Sequence, residues 1–167
     1  MKRLYLIRHA KSSWDTPGLD DIDRPLNKRG KRDAPFMGAR LKHYGIQPGL
    51  IYTSPARRAT TTAGLIAGCV GYPEERIEQH AGIYSSELNR LLVLVQQTDN
   101  NVDELFLVGH NYVITDFAEY LTNEVLGNIP TCGIVGVAFE VRTWRDVAGG
   151  SGKMLFFDYP KKHASEK

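Results

Sequence analysis

The chain has 167 residues, of which 42% are hydrophobic and 24% charged, with a formal net charge of +2. That balance excludes a disordered chain and fits one domain large enough to bury a sizeable core. Residues 1–60 hold 13 Lys+Arg against 5 Asp+Glu, and the remainder 8 against 14. A basic first third favours an anionic ligand such as phosphate, while the lack of a long Lys/Arg run or a basic helix argues against nucleic acid.

In chain order, Leu4-Tyr5-Leu6-Ile7 reads as a buried strand that ends in Arg8-His9-Ala10-Lys11-Ser12. A polar loop from Ser12 to Asn27 follows, with Asp20, Asp21 and Asp23 in its middle and Pro17-Gly18 and Arg24-Pro25 as punctuation. Asn27 is a helix N-cap candidate. Ala34, Met37, Leu41 and Tyr44 then recur at helical spacing, with Gly45 to end the helix. Gly49 to Ser54 predicts a second strand, and Pro55 to Cys69 a second helix with proline in its first turn. Ile77 suggests a short strand. Ser86 is read as the cap of a helix through Leu88, Leu91, Leu92 and Val95.

Leu105 to Gly109 is the clearest buried strand, and Thr115 to Leu121 continues into another helix. Ile134 to Arg142 and Met154 to Tyr159 predict two closing strands joined across Gly149-Gly150-Ser151-Gly152. The expected organisation is a single domain over residues 1–160 and a polar tail, residues 161–167, that frays. Strands alternating with helices predict an α/β class, with layers around a mostly parallel sheet.

Cys69 and Cys132 are too few and too far apart for a disulfide framework or a zinc site, and are expected as reduced, buried thiols. Residues 2–7 are too short for a signal-peptide core, and the run Gly133 to Phe139 cannot span a bilayer. A cytoplasmic protein without a membrane partner is the expectation.

Three predicted strands end in phosphate-suited groups: Arg8-His9, then Ser54 with Arg57-Arg58, then Gly109-His110-Asn111. In open parallel sheets ligands bind beyond the carboxyl ends of the strands. Arginine forks suit phosphate oxygens, and a neighbouring histidine can attack phosphorus. Taken singly, His9 reads equally well as a solvated loop residue and His110 as a satisfied core histidine.

Together, Arg8-His9-Ala10-Lys11-Ser12, Ser54-Pro55-Ala56-Arg57-Arg58-Ala59 and Gly109-His110-Asn111 resemble the motifs of the histidine phosphatase (phosphoglycerate mutase-like) superfamily. The short length and Asp23-Arg24-Pro25-Leu26 resemble its SixA-type phosphohistidine phosphatases. The resemblance implies a three-layer α/β/α sandwich. It places the nucleophile on His9, phosphoryl-binding arginines on Arg8 and Arg58 in preference to Arg57, a second catalytic, substrate-binding histidine on His110, and a substrate-binding hydroxyl on Ser12. An ordinary loop hydroxyl remains the other reading of Ser12. Ala10 stands where many members have glycine.

Two guanidinium groups and an imidazolium can neutralise a phosphoryl group without a metal or other cofactor. His9 is expected neutral, with one ring nitrogen held by an acceptor such as a backbone carbonyl, and His110 protonated. The superfamily's acidic proton donor has no clear counterpart. Glu74, Glu75, Glu78 and Glu87 are available, and Glu87 reads as the start of a helix. A site without a strong acid suits a phosphoramidate, whose imidazole leaves once its other nitrogen is protonated. The expected function is therefore a metal-independent phosphatase that acts through a phosphohistidine intermediate on protein phosphohistidine. The alternatives are a phosphatase of small phosphate esters and a non-catalytic phosphate-binding regulatory module. The acidic loop is either a solvated turn or a charged rim that selects partners.

Overall fold

The computed structural model describes residues 1–166; Lys167, the last residue of the expected tail, lies outside the described residues. Six strands form one sheet in the order β3-β2-β4-β1-β5-β6. They are β1 (Lys2–Arg8), β2 (Leu50–Thr53), β3 (Glu78–Gln79), β4 (Glu104–Gly109), β5 (Ile134–Phe139) and β6 (Gly152–Asp158). β1 to β4 run parallel, β5 is antiparallel to β1, and β6 is antiparallel to β5. The helices are α1 (Lys28–His43), α2 (Arg57–Val70), α3 (Ala81–Tyr84), α4 (Leu88–Gln96) and α5 (Val113–Thr122).

The period of two along β1 divides the core. Leu4 and Leu6 join Leu105, Leu107, Leu91, Ile114 and Phe117 on one face of the sheet. Tyr5 and Ile7 join Phe106, Val108, Met37, Leu41 and Ile66 on the other. A central parallel strand buried on both faces must be apolar throughout, which explains its unbroken hydrophobic run. α1 and α2 therefore cover one face, and α4 and α5 the other, giving the expected three-layer α/β/α sandwich. Truncating a side chain such as Leu6, with 0% exposure, would cost about 2–5 kcal/mol.

Local signals hold where short-range chemistry sets them. Asn27 caps α1 by accepting from the Gly30 amide, and Gly45 leaves the helix at φ 72°. Ser86 does not act as a cap. It sits at φ 62°, and Glu87 occupies the N-cap position of α4. The single turn α3 was not anticipated, being too short to show a period. Cys132 is buried as expected, whereas Cys69 is only half-buried.

The segment expected to fray from residue 161 instead belongs to a kinked 3-10 stretch, Pro160–Glu166. His163 Nε2 lies 2.6 Å from Asp158 Oδ1, and Arg40 Nε donates to Asp158 Oδ2 at 2.8 Å. Polar composition concealed this anchor because its partners lie on β6 and α1. No described helix is long and apolar enough to cross a membrane.

Candidate active site

Register brings the three predicted strand ends to one level. Arg8 pairs with Gly109, the His9 amide donates to the Gly109 carbonyl at 3.0 Å, and the Ser54 amide donates to the Val108 carbonyl at 3.0 Å. β1 leads into α1 on one face and its neighbour β4 leads into α5 on the other, so a crevice opens between their ends. The first turn of α1 closes one side. The Asn27 amide donates to the Lys11 carbonyl at 3.0 Å. A Cβ on Gly30 would stand 2.2 Å from that same oxygen, so this approach requires glycine.

Arg8, His9, Ser12, Arg58 and His110 all line one cavity of about 240 Å³. His9 is 8% exposed, and its Nδ1 lies 2.7 Å from the Ala10 carbonyl oxygen. A carbonyl can only accept, so Nδ1 carries the hydrogen and Nε2 keeps its lone pair. Burial, reinforced by His110 and the two guanidinium groups, pushes the His9 pKa down to about 3. Ala10 tolerates its position because its φ is not positive. Among the described non-glycine residues only Ser86, Asn123 and Cys132 have positive φ.

His110 Nδ1 lies 3.5 Å from Arg58 Nη2, and its Nε2 lies 2.8 Å from Ser54 Oγ. The guanidinium can only donate, so Nδ1 accepts and Nε2–H donates to Ser54. Burial, followed by the Arg58 charge, lowers the His110 pKa to about 4. The expectation of a protonated His110 is therefore corrected: both imidazoles are neutral near pH 7, and the positive charge resides on arginine.

Arg8 Nη1 donates to the Ile129 carbonyl at 2.9 Å, which leaves its buried Nε–H without a protein partner. The buried Nε–H of Arg58 is likewise unpartnered. Two cations lining the same cavity suit an oxyanion. Among the described residues, no carboxylate lines this cavity. Glu87 is exposed and pairs with Arg90 at 3.4 Å. Arg57 is exposed while Arg58, one residue on, is buried.

A family model of the histidine phosphatase superfamily (branch 1) matches residues 4–83. Over those residues the chain is similar to the histidine phosphatase superfamily. The chain is 28% identical over 159 residues to an uncharacterised chloroplastic protein of Arabidopsis thaliana, covering 90% of this chain and 72% of the relative. It is similar in structure to a putative phosphohistidine phosphatase SixA from Agrobacterium tumefaciens, at TM-score 0.79 and 26% identity, over 95% of this chain and 98% of the other. It shares the fold of the protein histidine phosphatase SixA complexed with tungstate, at TM-score 0.83 and 19% identity, over 96% and 98% of the two chains. The likeness supports a phosphatase or phosphoglycerate mutase-like enzyme with a phosphorylated substrate.

Several groups around this site escaped sequence reasoning. Arg58 donates from Nη1 to the Asp21 carbonyl at 2.7 Å and from Nη2 to Asp21 Oδ2 at 2.9 Å. Tyr84 O–H donates to the same oxygen at 2.7 Å. That hydrogen bond, with those of Arg58 and Arg24, holds the Asp21 carboxyl well below the usual carboxylate range. The acidic loop thus reaches the site through Asp21 and is more than a solvated turn. Arg24 donates from Nη1 to Ser12 Oγ at 2.9 Å, which fixes the Ser12 hydroxyl in the cavity wall. Thr62 Oγ1 accepts from the Ala10 amide at 2.9 Å and donates to the Arg58 carbonyl at 2.7 Å. It thereby ties the turn after β1 to the first turn of α2. The only sequence signal for this layer was the Asp23-Arg24-Pro25-Leu26 stretch.

Proposed function

We propose that this enzyme is a phosphohistidine phosphatase that transfers the phosphoryl group to His9 and then to water. The observation that carries this reading is the pair of guanidinium groups, Arg8 and Arg58, sharing a cavity with a histidine whose Nε2 lone pair is free. Arg8 and Arg58 hold the non-bridging oxygens. His9 Nε2 attacks phosphorus, forming one N–P bond while the N–P bond to the substrate imidazole breaks. The leaving nitrogen keeps that electron pair and departs as neutral imidazole, because its other nitrogen already carries a proton. Water then attacks phosphorus, the bond to His9 breaks, and His110 Nδ1 takes the proton that water loses. Both displacements draw their charge from Arg8 and Arg58, so the mechanism needs no metal.

A cavity wall with no carboxylate among the described residues favours a phosphoramidate over an alkyl ester. An alkoxide leaving group requires an acid, and Asp21, held ionised by three donors, is unsuited to give one. The test compares turnover of a phosphohistidine protein with that of sugar and nucleotide phosphates, followed by acid or alkali treatment of enzyme quenched with labelled substrate. The expected result is preference for phosphohistidine, acid-labile and alkali-stable label on His9, and full activity in a chelator. Preference for sugar phosphates would favour the small-ester reading, and label elsewhere would remove His9 as nucleophile.

A further inference from the structure

Of the residues that line the cavity, only Lys11 and Trp14 are exposed; the others are buried or half-buried. These two therefore form its mouth. Trp14 is 74% exposed, an unusual state for an indole. It is nevertheless held, because the Arg24 guanidinium carbon stands 3.5 Å from the ring centroid. Arg24 is itself fixed. It is 8% exposed and bonded through Nε to Asp21 at 3.1 Å, and through Nη1 to Ser12 Oγ at 2.9 Å and to the Ser13 carbonyl at 3.2 Å. One face of the indole is thus clamped by an immobile cation whose charge Asp21 offsets. The rest of the ring surface meets solvent at the mouth.

We infer that Trp14 is a specificity-determining residue: its free face stacks with a planar leaving group as the phosphoryl group enters among Arg8, His9 and Arg58. The inference deepens the reading of the site given above and rests on it. A phosphoryl group held against His9 must expel its leaving group away from that nucleophile, towards the mouth. The imidazole of phosphohistidine leaves best when its second nitrogen is protonated, and that ring is then cationic. An indole face attracts cations more strongly than other aromatic faces do. Stacking would therefore favour the state that departs. Clamping by Arg24 means that little conformational freedom is lost on binding.

The test uses two pairs of substrates, each differing in the ring: a phosphohistidine peptide against phosphoramidate, and an aryl phosphate against glycerol phosphate. kcat/KM is measured for the wild type, Trp14→Ala and Trp14→Phe. The ratio of ring-bearing to ringless substrate should fall about five- to tenfold in Trp14→Ala, mainly through KM, and recover in Trp14→Phe. An unchanged ratio, including an equal loss for both members of a pair, would overturn the inference. If phosphohistidine and phosphoramidate are not turned over, the phosphohistidine reading fails by itself, and the aryl and glycerol phosphate pair still decides the role of Trp14.

Discussion

Asp21 and Arg58 are joined twice, through the carbonyl at 2.7 Å and the carboxylate at 2.9 Å, so a cation expected to hold phosphate already faces a protein anion. The carboxylate side chain is 48% exposed and the guanidinium 7%. Water screens such a half-exposed pair, which limits its worth to about 1 kcal/mol or less.

That sharing has a measurable consequence. Asp21→Asn keeps the shape but removes the charge that competes with a phosphate dianion for Arg58. Inorganic phosphate should then bind more tightly, by up to about fivefold in its inhibition constant. Weaker phosphate binding in Asp21→Asn would show that the carboxylate mainly orients Arg58.

Arg57 and Arg58 provide an internal control. Successive residues in a helix point about 100° apart, and here one is exposed while the other lines the cavity. Arg58→Ala should lower kcat/KM by about 10²- to 10³-fold, since it removes a desolvated charge from the transition state. Arg57→Ala should stay within about threefold. Equal losses in steady-state assays would overturn the assignment.

How much of this was legible in the sequence depended on range. Leu4 to Ile7 announces its strand locally, and a strand end is where a ligand meets an open sheet, so His9 and His110 could be read from their own neighbours. The layer behind them could not. Asp21 meets Arg58 across 37 residues and Tyr84 across 63. Nothing in the spacing of Asp20, Asp21 and Asp23 singles out the middle one. The protonation of His110 was misjudged for a related reason. Its pKa depends on burial and on a guanidinium brought near only by the fold.

His9→Ala should abolish phosphatase activity, by about 10³-fold or more, with far-ultraviolet circular dichroism unchanged. The side chain is held by one local hydrogen bond to Ala10, so its loss leaves the sheet intact. Residual activity above a few per cent would require another nucleophile.

His9 and His110 have pKa values lowered to about 3 and about 4, chiefly by burial. In the unfolded chain both titrate near pH ~6.5. Between pH ~6.5 and these folded values the unfolded state therefore binds more protons than the folded one, so stability falls as pH falls through that window. For His110 alone, the loss between pH ~7 and pH ~4.5 approaches about 2–3 kcal/mol. His110→Gln removes the titration while keeping a polar side chain beside Ser54. Denaturant unfolding should show a shallower decline for His110→Gln than for the wild type over this range. Inorganic phosphate should stabilise the wild type increasingly as pH falls, because a bound anion favours a protonated imidazole. The curves of wild type and His110→Gln would run parallel if the imidazole were protonated in the fold at neutral pH, and that result would refute a neutral His110.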